Sequence, residues 1–394
     1  MKGHLRERSP GHWAIVIDVR DPQTGKRKRR WHSFQGTKRE AQVQCAKLIA
    51  EHQSGASIDP SRITLAEFTA RFDRDWLAVN VTPRSRERYQ YALKHVHRHL
   101  GPRVLQKLRP VDLAAFYAAL HQGGLASNTI KLVHRVLHKA LGQAEAWGII
   151  RSNPAELAKP PKVLDRETQM LQPDQAAALL ERIRLHGSQP LYMLASLALA
   201  TGARRNELLA LRWCDIDMDA ARLTIERALE QTIANGIRVK APKTQHGRRV
   251  ITLPGHVVAE LRQYWRAQQE ERLAAGLGKA PDDSPVFARA LDGGYMNQQT
   301  VTRQWSDQMT MLGMGGVTLH SLRHTHASTL IAAGIDIVAV SRRLGHASPR
   351  ITLQTYAHMI VGGDDKAAAV VGAAFGSKAV ADHVRKPRKI GTTH

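Results

Sequence analysis

Apolar and polar positions alternate with changing period along the chain, and the changes mark its elements. Residues 12–20, HWAIVIDVR, are rich in β-branched side chains and read as a strand. Asp21-Pro-Gln-Thr-Gly25 reads as a turn, and 26–34, KRKRRWHSF, as a second strand. Thr37-Lys-Arg-Glu40 has capping-box spacing and opens a helix to about Gln53. After a linker at 54–62, Thr64-Leu-Ala-Glu67 repeats that spacing, with Phe68, Phe72, Trp76 and Leu77 in one stripe behind it. Thr82-Pro83 starts another helix that ends at Gly101, with Tyr89, Leu93, Val96 and Leu100 on its apolar side. Stretches 110–120 and 127–147 supply two more.

The run 153–162, NPAELAKPPK, is proline-rich and predicts an extended, semi-stiff linker. Beyond it, 172–185 reads as a helix, and 191–200 is apolar all round and reads as a buried one. Thr201-Gly202 breaks that helix, and 206–213 resumes it. Strand-like runs follow at 222–230, 237–241 and 248–253, with Asn235-Gly236 as a hairpin turn. Helices are expected at 255–275, 297–312, 319–333, 336–344 and 349–358, with a loop-rich stretch at 276–296. The tail after about Gly376 lacks periodicity and reads as disordered in isolation. The fold class is therefore α+β and mostly helical. The expected parts are a small sheet plus helix (1–55), a helical domain (62–152), a linker (153–165), a mixed α/β domain (166–376) and a basic tail (377–394).

Charge narrows the partners. The chain has 394 residues, and 58 basic against 34 acidic side chains give a net charge of +24. Such an excess favours a polyanion: DNA, RNA or an acidic membrane surface. Cys45 and Cys214 offer no disulfide framework, which fits a reducing cytosol. The N-terminus has no apolar signal core, and the longest apolar run is half a membrane span, so no bilayer crossing is expected. The basic run Lys26, Arg27, Lys28, Arg29 and Arg30, flanked by Trp13, Trp31 and Phe34, reads as a DNA-contacting sheet, with a solvated hairpin as the alternative. Arg84, Arg86 and Arg88 crowd the exposed side of the helix that begins at Pro83.

The candidate chemistry lies in three separated pieces: Thr201-Gly-Ala-Arg-Arg-Asn-Glu-Leu, Pro242-Lys-Thr-Gln-His-Gly-Arg, and 320–356. In the last, His320, Arg323 and His324 share one helix face. Together the pieces offer a hydroxyl nucleophile, two arginines, a lysine and two histidines, a set suited to phosphoryl transfer without a metal. His320, His324 and His326 lack a cysteine or H-E-x-x-H companion, so no metal site is expected. His324 and His326 read as packing or supporting residues. Arg204 and Arg205 compete for one role, and spacing alone leaves that choice open.

The ordered set resembles the tyrosine recombinases, or phage-type integrases. The residues that carry the resemblance are Arg204 with Glu207, Lys243-Thr244, His320-x-x-Arg323, His346 in Leu-Gly-His, and Tyr356. It covers roughly 62–375, more loosely the N-terminus, where the sheet looks like an arm-site-binding domain. The resemblance implies a helical core-binding domain that grips duplex DNA opposite the catalytic domain. Tyr356 would be the nucleophile, forming a covalent 3′-phosphotyrosine. Arg204 and Arg323 would hold the phosphate, with Glu207 steadying Arg204. His320 would accept a proton, Lys243 would protonate the leaving oxygen, and His346 would bond the phosphate. No cofactor or ATP is implied. Implied partners are double-stranded DNA, a homotetramer in a synaptic complex, and host DNA-bending or directionality factors; the location is the bacterial cytoplasm and nucleoid. The N-terminal sheet favours integration or excision of a phage or other mobile element over a Xer-like resolvase. A type IB topoisomerase-like enzyme and a non-catalytic DNA-binding regulator are the rival readings.

Overall fold

The computed structural model describes residues 3–20, 27–53, 60–162, 170–241, 247–289, 292–357 and 363–375. Lys26, Lys243, the turn at 21–25 and the tail from 377 lie outside the described residues. The chain forms two compact units, 1–165 and 166–394, and is mostly helical with small antiparallel sheets.

The first unit opens with an antiparallel sheet in the order β1 (Gly3–Ser9), β2 (His12–Arg20), β3 (Arg27–Gln35). Strand β1 was not anticipated, because its charged sequence carries little strand signal; pairing along β2 creates it. Helix α1 (Lys38–Gln53) begins at a capping box in which Thr37 and Glu40 bond each other's backbone amides. It covers one face of the sheet, where Ile15 and Ile17 are fully buried beside Leu5 and Phe34. A Cβ at Gly3 would lie 2.5 Å from Cys45 Sγ, so a residue without a side chain lets α1 come this close.

The helical part consists of α2 (Leu65–Phe72), a π turn at Asp73–Leu77, the stub α3 (Ala78–Asn80), α4 (Pro83–Leu100), α5 (Pro110–Gln122) and α6 (Ser127–Ala146). Thr64 and Glu67 form the expected capping box, and Thr82 caps α4. Phe68, Phe72 and Leu77 meet Leu93, Val96, Leu113, Ile130 and Leu137 in one core. Each contributes on the order of 1.5–3 kcal/mol by leaving water. The proline-rich run behaves differently from the linker reading at its start. Asn153, Ala155 and Ala158 are buried in that same core, and Asn153 Nδ2 donates to the His138 carbonyl at 3.0 Å. The small side chains of Ala155 and Ala158 let this segment pack against the bundle.

The second unit begins with α7 (Pro173–His186) and α8 (Gln189–Thr201). Helix α8 is buried through Leu191, Leu194, Leu197 and Ala198 and packs on α7 and on three later helices. After Gly202 the helix α9 spans only Arg205–Leu208, shorter than the pattern predicts. Residues 211–214 instead bond to the loop at 282–286: Trp213 N–H donates to Ser284 O, and Val286 N–H to Leu211 O. The run 222–230 divides into β5 (Arg222–Ile225) and β6 (Ala228–Thr232), preceded by the short β4 (Ile216–Asp217). Strand β6 pairs with β7 (Gly236–Lys240) through the Asn235-Gly236 turn, and β5 pairs with β4 and β8 (Arg249–Thr252). Between the two strands Arg227 reaches back to Asp215 at 2.7 Å. Then come α10 (Gly255–Ala274), α11 (Gln298–Met311), α12 (Leu319–Ala332), α13 (Ile337–Leu344), α14 (Pro349–Tyr356) and α15 (Gly363–Phe375). Helix α12 lies against α8, and α13 against α14, so residues far apart in sequence converge at these helix ends.

Candidate active site

The cluster is built around Arg323, on the buried face of α12. Thr318 caps this helix by accepting from the Ser321 amide. The Arg323 side chain is only 3% exposed. Its Nη1 donates to the Gly202 carbonyl at 2.6 Å and its Nη2 to the Leu344 carbonyl at 2.8 Å. Both carbonyls stand at helix ends, where backbone oxygens lack intrahelical partners. Gly202 ends α8 and Gly345 ends α13, each in the left-handed region, and that conformation turns the chain sharply. At Gly202 a Cβ would also lie 2.5 Å from the His326 ring.

Arg204, just past Gly202, is aimed by three bonds. Its backbone amide donates to Glu207 Oε2 at 3.0 Å, its Nη1 to Glu207 Oε1 at 2.8 Å, and its Nη2 to the Gly345 carbonyl at 3.3 Å. The two arginines therefore rest on the consecutive carbonyls of Leu344 and Gly345. Glu207 is almost fully buried and takes a second partner, Arg249 Nη2, at 2.9 Å. Burial raises its carboxyl's pKa, but Arg249 and Arg204 outweigh that and hold it below the ordinary value. Arg249 also donates to the carbonyls of Arg343 and Gly247. Arg343 in turn donates to Ala200 O and to Nε2 of His326, whose Nδ1–H donates to Leu199 O. His326 is thus neutral; burial first, and then the nearby arginines, push its pKa down to about 4.

Tyr356 ends α14 with its side chain 2% exposed. Its hydroxyl lies 2.7 Å from Nδ1 of His324, one helical turn along α12 from His320. The His320 and His324 rings meet edge-on with centroids 4.6 Å apart. Burial raises the Tyr356 phenol to about 12, against the pull of Arg323. His320 is lowered by burial, Arg323 and Arg204, and His324 is lowered to about 4 by burial, His320 and Arg323. His346 follows Gly345; its Nδ1 lies 2.7 Å from Thr352 Oγ1, and burial with the Arg323 and Arg204 charges takes it to about 4. Besides burial, the charges acting on these groups include Arg323 and Arg204, so an anion entering here would meet two guanidiniums.

The fold thus brings Arg204, Glu207, His320, Arg323, His346 and Tyr356 together, while Lys243 lies outside the described residues. Arg205 turns elsewhere: its Nη1 donates to Thr302 Oγ1 on α11, so Arg204 is the arginine of this cluster. Sequence reasoning missed Arg249, at the start of β8, Arg343, near the end of α13, and Thr352, buried within α14. It read His324 as a packing or supporting residue; the Tyr356 hydroxyl lies 2.7 Å from its Nδ1. Among the described residues no group of His, Cys, Asp and Glu is arranged to hold a metal ion.

On the N-terminal sheet, register separates the basic run. Arg29 and Trp31 pair with Asp18 and Val16 on the face opposite α1, whereas Arg30 and His32 pair with the helix-facing Ile17 and Ile15. The same register puts Arg6, opposite Ala14, on the open face; Arg8, stacked over Trp31, joins it there. Arg27, at the end of β3, is exposed, and the side chain of Lys28 lies outside the described residues. On α4, Arg84 pairs with Glu87, and Arg86 is held by both oxygens of Asp73, while Arg88 is exposed.

Two cations on a rigid backbone shelf beside a phenol and imidazoles can bind a phosphodiester and present it to an oxygen nucleophile. Residues 169–361 match the model of the phage integrase family. The chain is 30% identical over 256 residues to the tyrosine recombinase XerC of Xanthomonas axonopodis pv. citri, covering 63% of this chain and 72% of that protein. It is 29% identical over 337 residues to an integrase of Streptomyces ambofaciens, covering 82% and 84%. Among solved structures it is similar to the Tn1549 transposon integrase in complex with transposon right end DNA (TM-score 0.65, 23% identity, 79% of this chain and 99% of that one). It is also similar to a lambda integrase tetramer bound to a Holliday junction (TM-score 0.56, 20% identity, 89% and 94%).

Proposed function

The chain belongs to the tyrosine recombinase (phage integrase) family of enzymes, and from that premise we propose that it cuts and rejoins DNA at specific sites through a 3′-phosphotyrosine on Tyr356, integrating or excising a mobile element. The observation that carries this reading is the shelf of Leu344 and Gly345 carbonyls, which holds Arg323 and Arg204 beside the Tyr356 hydroxyl's cluster.

Arg204 and Arg323 take the non-bridging oxygens of the scissile phosphate, where negative charge grows as the transition state forms. The Tyr356 oxygen bonds to phosphorus as the bond to the 5′ oxygen breaks. The leaving oxygen takes a proton from Lys243, by resemblance. The product is again a phosphate ester, so its energy suffices for a new 5′ hydroxyl to reverse the step without ATP. His346 and His320 bond the phosphate from the sides. The basic open face of the N-terminal sheet and the helical domain supply further DNA contacts, and four protomers assemble on two sites. The match to the Streptomyces integrase over 82% of this chain supports the integrase reading. Among the described residues no helix is long and apolar enough to cross a membrane.

The test is a covalent trap. Wild-type protein and Tyr356→Phe are mixed with fragmented genomic DNA of the source, stopped with detergent, and the protein-linked DNA is sequenced. Adducts at one or a few sites, absent in the variant, are expected. Adducts spread over all sequences would indicate a topoisomerase-like enzyme, and firm binding without adducts a DNA-binding regulator.

A further inference from the structure

This inference rests on Tyr356 being the nucleophile. Its hydroxyl is withdrawn from solvent and lies 2.7 Å from His324 Nδ1, and the two rings are tilted at 53° with centroids 5.6 Å apart. His320 stands one turn earlier on α12, with its ring edge-on to that of His324. We propose that His324 is the catalytic base of strand cleavage, taking the Tyr356 proton on Nδ1, and that it returns this proton during ligation.

The Oη–H proton passes to Nδ1 while Oη bonds to phosphorus. The electron pair of the broken phosphorus–oxygen bond stays on the 5′ oxygen, which takes its proton from Lys243. In ligation the 5′ hydroxyl returns its proton to the now neutral Lys243 as its oxygen bonds to phosphorus, the bond from phosphorus to Tyr356 Oη breaks, and the imidazolium of His324 protonates the departing phenolate. His320 then is free to serve the phosphate, where Arg323 and Arg204 already act on it.

The surroundings suit this assignment. The groups facing His324 are His320 and Arg323 from α12, Tyr356 from α14 and His346 from the turn between α13 and α14. In the free protein burial, with His320 and Arg323, holds the His324 pKa down to about 4, so its ring is neutral at pH 7. A phosphodiester on the two arginines offsets their charge and raises the basicity of His324 at the moment the proton must move. Binding of the correct DNA thereby switches the base on, and an isolated protomer keeps a protonated, unreactive phenol.

Two measurements decide the matter. In the free protein, 15N-labelled imidazoles are observed at pH 7 in wild type, His324→Gln and Tyr356→Phe. The resonance lost in His324→Gln should show an unprotonated Nδ1 that accepts a hydrogen bond, and it should move in Tyr356→Phe. A protonated Nδ1 there would overturn the proposal. The second measurement uses the DNA fragment recovered by the covalent trap, synthesised with either an ordinary phosphate or a 5′-bridging phosphorothiolate. The sulfur leaving group needs no proton. His324→Gln should slow adduct formation by about 10²- to 10⁴-fold on both substrates. Lys243→Ala should be slow on the ordinary phosphate only. His324→Gln at wild-type rate, with His320→Gln slow on both, would sink the idea. His324→Asn, which keeps an amide near the position of Nδ1, guards against a folding defect. Absence of any wild-type adduct would strike at the recombinase reading itself, while the nitrogen spectrum would still decide which atom carries the proton.

Discussion

Arg249 and Glu207 form an ion pair at 2.9 Å in which both side chains are less than a tenth exposed. The pair ties the first residue of β8 to the carboxylate that orients Arg204, so a buried charge network fixes the direction of a surface cation. Removing one member of such a pair leaves the other charge buried and unpaired. Arg249→Met is therefore expected to lower unfolding free energy by about 3–5 kcal/mol, measured by denaturant titration. Arg249→Met combined with Glu207→Leu should be less damaging than the two single losses added together; strict additivity would contradict the coupling.

His326 makes the protein sensitive to mild acid. Its folded-state pKa is about 4 against an ordinary 6.5, so the unfolded chain takes up the proton first. Stability is retained above pH 6.5 and lost as pH falls from there toward 4. From pH 8 to pH 5 this one group should remove about 2 kcal/mol. His326→Gln should flatten the profile by that amount in parallel unfolding titrations.

Gly202→Ala should destabilise the catalytic unit by about 2–4 kcal/mol. The residue has φ +63, and the new methyl would lie 2.5 Å from His326 Cδ2 and 2.7 Å from Leu344 Cδ2. A melting temperature equal to wild type would show that the turn relaxes freely.

Arg323→Lys should reduce adduct formation by about 10²- to 10³-fold with DNA affinity changed far less. One ammonium cannot span the Gly202 and Leu344 carbonyls and still meet a phosphate. Rates and affinities on the trapped site, measured side by side, check this.

The N-terminal sheet should contact DNA through its open face. Arg6→Ala and Arg8→Ala are each expected to reduce the slope of log affinity against log salt by about one. Arg30→Ala, on the helix-facing side, should leave that slope unchanged. Equal effects from all three would argue for diffuse attraction.

Much of this molecule is written locally. The capping boxes at Thr37 and Thr64, the Pro83 helix start and the Asn235-Gly236 hairpin are interactions between near neighbours, and the structure places elements there. The order of Arg204, Glu207, His320, Arg323, His346 and Tyr356 was equally legible, since residue type and spacing survive without a fold. Tertiary structure alone decided the rest. Strand β1 exists because β2 lies beside it, and Asn153, Ala155 and Ala158 are buried because the bundle offers a surface. Arg204 rather than Arg205 joins the cluster because Gly345, 141 residues away, supplies an acceptor. His324 meets the tyrosine because α14 folds back across 32 residues. Periodicity and capping act over three or four residues, whereas a hydrogen bond to a buried group is satisfied by whatever packing brings near, and that partner has no fixed distance along the chain.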